Sequence, residues 1–227
     1  MSEMIGPRIA LIHALEESVL PIRAAFEGHW PEAIRADLLD TSLSADLAAA
    51  GRLTDAMTKR FIALGRYCAR GTGAHDTRAV LFTCSAFGPA IEAVKRDLSI
   101  PVMRPNEAAF AEALEIGSRI ALVVTFRPSL AALTAEMEEM AAALGKPVKI
   151  TPVLAESALP ALKAGDGAGH DDAVLRACKD IGAQDAVVLG QFSLARTAPL
   201  LKPRFDCPIL TTPDSAVRAL RRLITAS

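Results

Sequence analysis

The chain is poor in aromatic residues: Phe, Trp and Tyr make up 4% of 227 residues, with one Trp and one Tyr. That leaves little with which to stack nucleic-acid bases. It has no excess of either charge, since 25 Lys and Arg stand against 26 Asp and Glu. No basic stripe offers a footprint for a nucleic-acid backbone. No apolar run approaches the ~20 residues that span a bilayer. The apolar stretch 9–15 is short and followed by Glu16-Glu17, unlike a signal peptide. A cytoplasmic protein without membrane or nucleic-acid partners is therefore expected. The four cysteines (Cys68, Cys84, Cys178, Cys207) lie far apart and form no CxxC, so they read as thiols and not as a disulfide set. No His, Cys and carboxylate grouping has the spacing of a zinc site. The glycine-rich stretch 165–170 lacks a Walker lysine and the dinucleotide fingerprint. Neither metal nor cofactor is expected.

What the chain does have is 51% hydrophobic residues, enough for one large domain or two small ones. Short apolar runs at 8–13, 36–40, 79–83, 101–103, 120–125, 148–153, 186–189 and 208–210 read as strands buried on both faces. Helical patterns at 54–69, 87–98, 129–144 and 172–181 lie between them. Asp171 reads as the N-cap of the last, after a flexible stretch at 165–169. Alternation of this kind predicts α/β architecture with parallel sheets.

The pattern is also written twice. Arg8-Ile9-Ala10-Leu11 returns as Arg119-Ile120-Ala121-Leu122. An offset of 107 relates Cys84 to Gln191, and also Ile100-Pro101-Val102 to Cys207-Pro208-Ile209. The expected fold is two pseudo-symmetric lobes, each a parallel sheet flanked by helices, with the active-site cleft between them. Pro105 and Pro213 mark the crossings, giving a first lobe of 1–104 plus 213–227 and a second of 105–212. The closing helix, 215–224, is expected to pack back on the first half. In open α/β sheets ligands bind beyond the carboxyl ends of the strands. That rule selects His13, Thr41, Ser42, Thr83, Cys84, Ser85, Ala86 and Phe87 in the first lobe. In the second it selects Thr125, Phe126, Arg127, Ser129, Gln191, Phe192 and Ser193.

Cys84 follows an apolar strand and precedes a helix, where the macrodipole and unpaired N–H groups favour thiolate. A thiolate there can remove a proton, deliver one or attack carbon. The N–H groups of Ser85, Ala86 and Phe87 can receive a carboxylate, then stabilise an enediolate as charge spreads into it. The alternative is that Cys84 is a small buried hydrophobe. Gln191 exchanges no proton near neutral pH and is restricted to hydrogen bonding. His13 is placed to be a second proton carrier or a hydrogen-bonded structural residue. Thr125, Ser129 and Ser193 are carboxylate binders or ordinary caps. Arg127 and Arg196 are partners for a second anion or solvated cations. Phe87, Phe126 and Phe192 either line an apolar pocket or pack in the core.

The Thr83-Cys84-Ser85 turn, the Gly190-x-x-Ser193 turn and Thr125-Phe126-Arg127-Pro128-Ser129 together resemble the aspartate/glutamate/hydantoin racemase superfamily. Nearly the whole chain is covered. The resemblance implies a cofactor-independent enzyme acting on a small carboxylate of amino-acid, hydantoin or substituted-malonate type, in a dimer or higher homo-oligomer. Its racemases place one cysteine on each side of the substrate carbon. Cys84 matches the first, and Gln191 stands where the second is expected. Arylmalonate decarboxylase, a relative, keeps only the second. The implied reaction is racemisation with Cys84 and another base, or a one-thiol decarboxylation or cis-trans isomerisation. The competing class is a non-catalytic small-carboxylate binding protein.

Overall fold

The computed structural model describes residues 6–71 and 76–226. The chain divides into two units, one of Met1–Pro105 with Val217–Ser227 and one of Asn106–Ala216.

The first unit runs β1 (Arg8–His13), α1 (Val19–His29), β2 (Ile34–Leu39), α2 (Ser42–Ala50), α3 (Asp55–Ala69), β3 (Thr77–Phe82), α4 (Gly88–Asp97) and β4 (Val102–Met103). Its four strands are parallel, in the order β2-β1-β3-β4. The two central strands carry the continuous apolar runs. Ile9, Leu11, Ala79 and Leu81 are buried on one face, Ala10, Ile12, Val80 and Phe82 on the other. The latter face packs with Phe61 of α3 and with Phe87, Ala90, Ile91 and Val94. The Phe61 ring stacks on Phe82 at 5.3 Å and meets Phe87 at 4.6 Å, geometries that aromatic pairs favour. Gly65 brings α3 close to α4, because a Cβ there would lie 2.5 Å from the Val94 side chain.

The second unit runs α5 (Glu107–Ile116), β5 (Arg119–Val124), α6 (Arg127–Ala143), β6 (Lys149–Leu154), α7 (Ala158–Lys163), α8 (Gly167–Ala177), β7 (Ala186–Leu189), α9 (Ala198–Leu201) and β8 (Ile209–Thr211). The sheet order β6-β5-β7-β8 repeats that of the first unit. Its registers repeat too. Ala10 pairs with Val80 and Ala121 with Val187; Val80 pairs with Val102 and Val187 with Ile209. The duplication read from the sequence is therefore a duplication of register as well as topology. One face of this sheet packs with Phe110 and Leu114 of α5 and Leu133 and Met137 of α6. The other packs with Ala158, Val174 and Leu194.

The chain ends in α10 (Thr212–Thr225), and the boundary between the units falls inside it. Its C-terminal part, from Val217, belongs to the first unit, where Arg221 donates to the His29 carbonyl at 2.7 Å.

All eight strands lie where the apolar runs placed them, with ends shifted by at most two residues. The helix expected at 172–181 is shifted at both ends, to Gly167–Ala177, and the closing helix begins at Thr212, ahead of the expected 215. The stretch 167–171 is the first turn of α8, and its cap is Asp166, whose carboxylate accepts from the Gly169 N–H at 2.8 Å. Gly165, at φ +81°, makes the left-handed turn before it. Asp171 instead bonds His170 and Arg196.

Candidate active site

Both sheets reverse direction of growth at one place. From β1 the chain steps to β2 on one side, and β3 is added on the other; β5, β6 and β7 repeat this. Crevices open at the carboxyl ends of strands flanking such a switch point. The residues there are His13, Thr83 and Cys84 in one unit, and Thr125 and Gln191 in the other. The carboxyl ends are pinned alike: the Thr83 N–H donates to the Ile12 carbonyl and the Gly190 N–H to the Val123 carbonyl. With the shared registers, Cys84 and Gln191 occupy equivalent positions in their own units.

Cys84 is half-buried and extended (φ −117°, ψ 120°). It caps a 3-10 turn, Ser85–Phe87, that runs directly into α4, with Pro89 in the helix's first turn. Ser85 and Ala86 are half-buried as well. The Phe87 ring is not part of this surface; it is buried against Phe61. Only its N–H remains of the contribution expected for it.

Beneath the turn lies a polar chain, buried at Ser18, Thr83 and His13 and open to solvent at Asp37 and Arg23. His13 is 0% exposed. Its Nδ1 is 2.9 Å from Thr83 Oγ1 and its Nε2 3.0 Å from Asp37 Oδ1. Arg23 donates to the other Asp37 oxygen at 2.8 and 3.2 Å. Thr83 Oγ1 is 3.0 Å from Ser18 Oγ. Burial lowers the pKa of His13 below its usual 6.5 and outweighs the pull of Asp37. Burial raises that of Asp37, but the hydrogen bonds and charges of Arg23 and His13 lower it further and leave it depressed. Near neutral pH the ring is neutral and the carboxylate charged. With both nitrogens engaged inside the protein, His13 meets a substrate only by giving up one of these bonds.

In the second unit Gln191 (φ −140°, ψ 144°) caps the 3-10 turn Phe192–Thr197. Its Oε1 accepts from the Thr125 N–H at 2.6 Å and from Thr125 Oγ1 at 2.7 Å. A backbone N–H only donates, so the atom facing it is the carbonyl oxygen. Thr125 thereby engages the carbonyl oxygen of the carboxamide and not its NH2. Thr125, 3% exposed, commits both its donors to Gln191. Phe192, Ser193 and Ser129 are buried. Phe126 is 44% exposed at the start of α6. Arg127 forms an exposed pair with Glu156, and Arg196 grips Asp171 with two bonds.

Sequence reading missed Asp37, Ser18 and Asn106. Asn106 is buried and donates from Nδ2 to the Gly190 carbonyl at 2.6 Å, clamping the peptide just before Gln191. Among the described residues no group of three or more His, Cys, Asp or Glu is disposed to hold a metal ion, and no helix is long and apolar enough to cross a membrane.

Comparison with known proteins identifies the family. The Asp/Glu/hydantoin racemase family model matches residues 22–220. The chain belongs to this family. No curated protein matches it. Among solved structures, allantoin racemase from Klebsiella pneumoniae is 20% identical with a TM-score of 0.64, covering 97% of this chain and 89% of that one. Aspartate racemase from Picrophilus torridus is 9% identical, TM-score 0.71, over 97% and 95%. The Gly74Cys mutant of arylmalonate decarboxylase, in a sulfate-associated form, is 16% identical, TM-score 0.68, over 97% and 94%. At these identities the likeness is one of fold.

Proposed function

We propose that this racemase-family chain is a cofactor-independent enzyme acting on a small carboxylate, with Cys84 as its acid/base thiol. The observation that carries the reading is the equivalence of Cys84 and Gln191 at the two switch points, one a thiol and the other an amide locked by Thr125. As thiolate, Cys84 removes the proton beside the carboxylate, and the electron pair passes into an enediolate held by the N–H groups of Ser85, Ala86 and Phe87. As thiol, it returns a proton to that carbon. Gln191, at the equivalent position of the other unit, can donate through its NH2 but exchanges no proton.

That last point favours a one-thiol reaction over symmetric two-base racemisation. In a decarboxylation the bond to CO2 breaks, its electron pair enters the enediolate, and the Cys84 S–H protonates the carbon, leaving thiolate. The substrates named for the fold's neighbours, allantoin, aspartate and arylmalonates, define the compounds to screen.

The test is exchange of the α-proton with deuterated water, with release of CO2 followed in parallel, across amino acids, hydantoins, allantoin and 2-substituted malonates. Turnover of at least one compound is expected, falling by at least ~10²-fold in Cys84→Ser, the scale of a lost general acid or base. Gln191→Glu keeps the Thr125 bonds but replaces the donor NH2 with an anionic oxygen, so KM should rise. Full activity in Cys84→Ser would sink the mechanism.

A further inference from the structure

We propose that His13 is a positioning residue for Cys84, acting through Thr83 as part of the hydrogen-bonded chain Ser18–Thr83–His13–Asp37–Arg23, which is buried at Ser18, Thr83 and His13 and reaches solvent at Asp37 and Arg23. The proposal rests on the reading of Cys84 as the reactive thiol.

The second unit supplies an internal control. Its register places Val124 at the position of His13, Pro152 at that of Asp37 and Gly190 at that of Thr83. The same sheet order and the same strand-end hydrogen bond are built there from an apolar residue, an imino acid and a glycine. The fold itself does not require the polar chain. A buried imidazole and the buried hydroxyls beside it are costly to desolvate and persist only when bonded. The two units also diverge at the next residue: a thiol comes after Thr83, a carboxamide after Gly190.

Hydrogen counting gives the chain a direction. Asp37, held charged by Arg23, only accepts, so His13 Nε2 carries the ring proton and Nδ1 is the acceptor. Thr83 must then donate to Nδ1; Ser18 donates to the Leu15 carbonyl at 2.7 Å, so its 3.0 Å contact with Thr83 carries no proton while the ring is neutral. Thr83 and His13 both donate toward Asp37. A protonated ring would reverse the Thr83 hydroxyl alone: Nδ1–H to Thr83 and Thr83 to Ser18, with Ser18 still on the Leu15 carbonyl. The groups facing His13 are Asp37 from β2, Arg23 from α1, Ser18 from the turn before α1 and Thr83 at the end of β3. Thr83 is thus held by its N–H on Ile12 and its hydroxyl on His13. The peptide that aims Cys84 at the start of its turn has little freedom left.

Two measurements test this. Long-range proton–nitrogen spectra should show His13 neutral at pH 7 and protonated on Nε2. The pH midpoint of Cys84 alkylation by iodoacetamide, followed by mass spectrometry, reports how well the turn stabilises thiolate. In Thr83→Val, which keeps the shape and loses the hydroxyl, the midpoint should rise by about one unit. His13→Asn should shift it the same way, and Thr83→Ser should keep the wild-type value. Thr83→Val carries the test if His13→Asn does not fold. An unchanged midpoint in folded Thr83→Val, a Thr83→Ser shift as large as that of valine, or a charged His13 at pH 7 overturns the proposal. If wild-type Cys84 reacts no faster than Cys68, the proposed function falls and this inference with it. A reactive Cys84 with unmoved variant midpoints removes the positioning role alone.

Discussion

Burial pushes the Cys68 and Cys178 thiols up to about 11 and raises that of Cys207. Cys84 is half-buried at the start of a turn that feeds a helix. A thiol reacts as thiolate, so burial disfavours reaction at the other three cysteines near neutral pH. Iodoacetamide at pH 7.5 should modify Cys84 first, at least ~10-fold faster than the others, as peptide mapping after timed quenching would show. Equal labelling of Cys84 and Cys68 would contradict it. Cys84 and Gln191 were legible in the sequence because each ends an apolar run, and runs of that kind declare strand ends. Asp37 and Asn106 were not. Their partners, His13 and Gly190, lie 24 and 84 residues away, and no local pattern records a bond made by folding. An aspartate inside a strand is the one trace of the first.

The strands were the most legible elements, because β1, β3, β5 and β7 are buried on both faces and contain little but apolar residues. The start of α8 was hidden by composition. Glycines 165, 167 and 169 read as a loop, and only the carboxylate of Asp166 bonding the Gly169 N–H makes 167–169 helical. Glycine carries a different message at the end of β7. A Cβ on Gly190 would lie 2.9 Å from the Leu122 side chain, 3.2 Å from the Val123 carbonyl oxygen and 3.3 Å from the Val124 side chain. Gly190→Ala should therefore destabilise the protein by roughly 1–3 kcal/mol, the range for overpacking. Gly182→Ala, where nothing lies within 4 Å, should leave it unchanged. Urea unfolding midpoints of the two variants decide this, and equal midpoints would show that the β7 end relaxes freely.

At the scale of the whole chain, stability should fall in two steps on acidification. The folded pKa of His13 lies below the unfolded 6.5. The unfolded state binds more protons there, so stability is full above pH 6.5 and declines as pH drops below it. Asp37 and Asp185 have depressed folded values, Asp185 at about 2 through the Arg119 side chain and the N–H groups of Arg119 and Ser118. Their contributions are present above the unfolded 3.8 and are lost as pH falls below it. Urea midpoints from pH 8 to 3 should show both declines, and His13→Asn should lack the first. A flat profile between pH 7 and 5 in the wild type would refute the His13 step. The duplication was legible at this scale from the 107-residue offset alone, since matched spacing survives where matched residues do not.

The boundary inside α10 has a consequence for the order in which the protein is made. The first unit is discontinuous, Met1–Pro105 completed by Val217–Ser227. During synthesis β1 leaves the ribosome early, yet the segment that completes its unit emerges after all of Asn106–Ala216. Domains generally fold as they emerge, N-terminal first. Here the second unit is finished before the first, and the Cys84 turn waits for the last helix before the unit that carries it is whole.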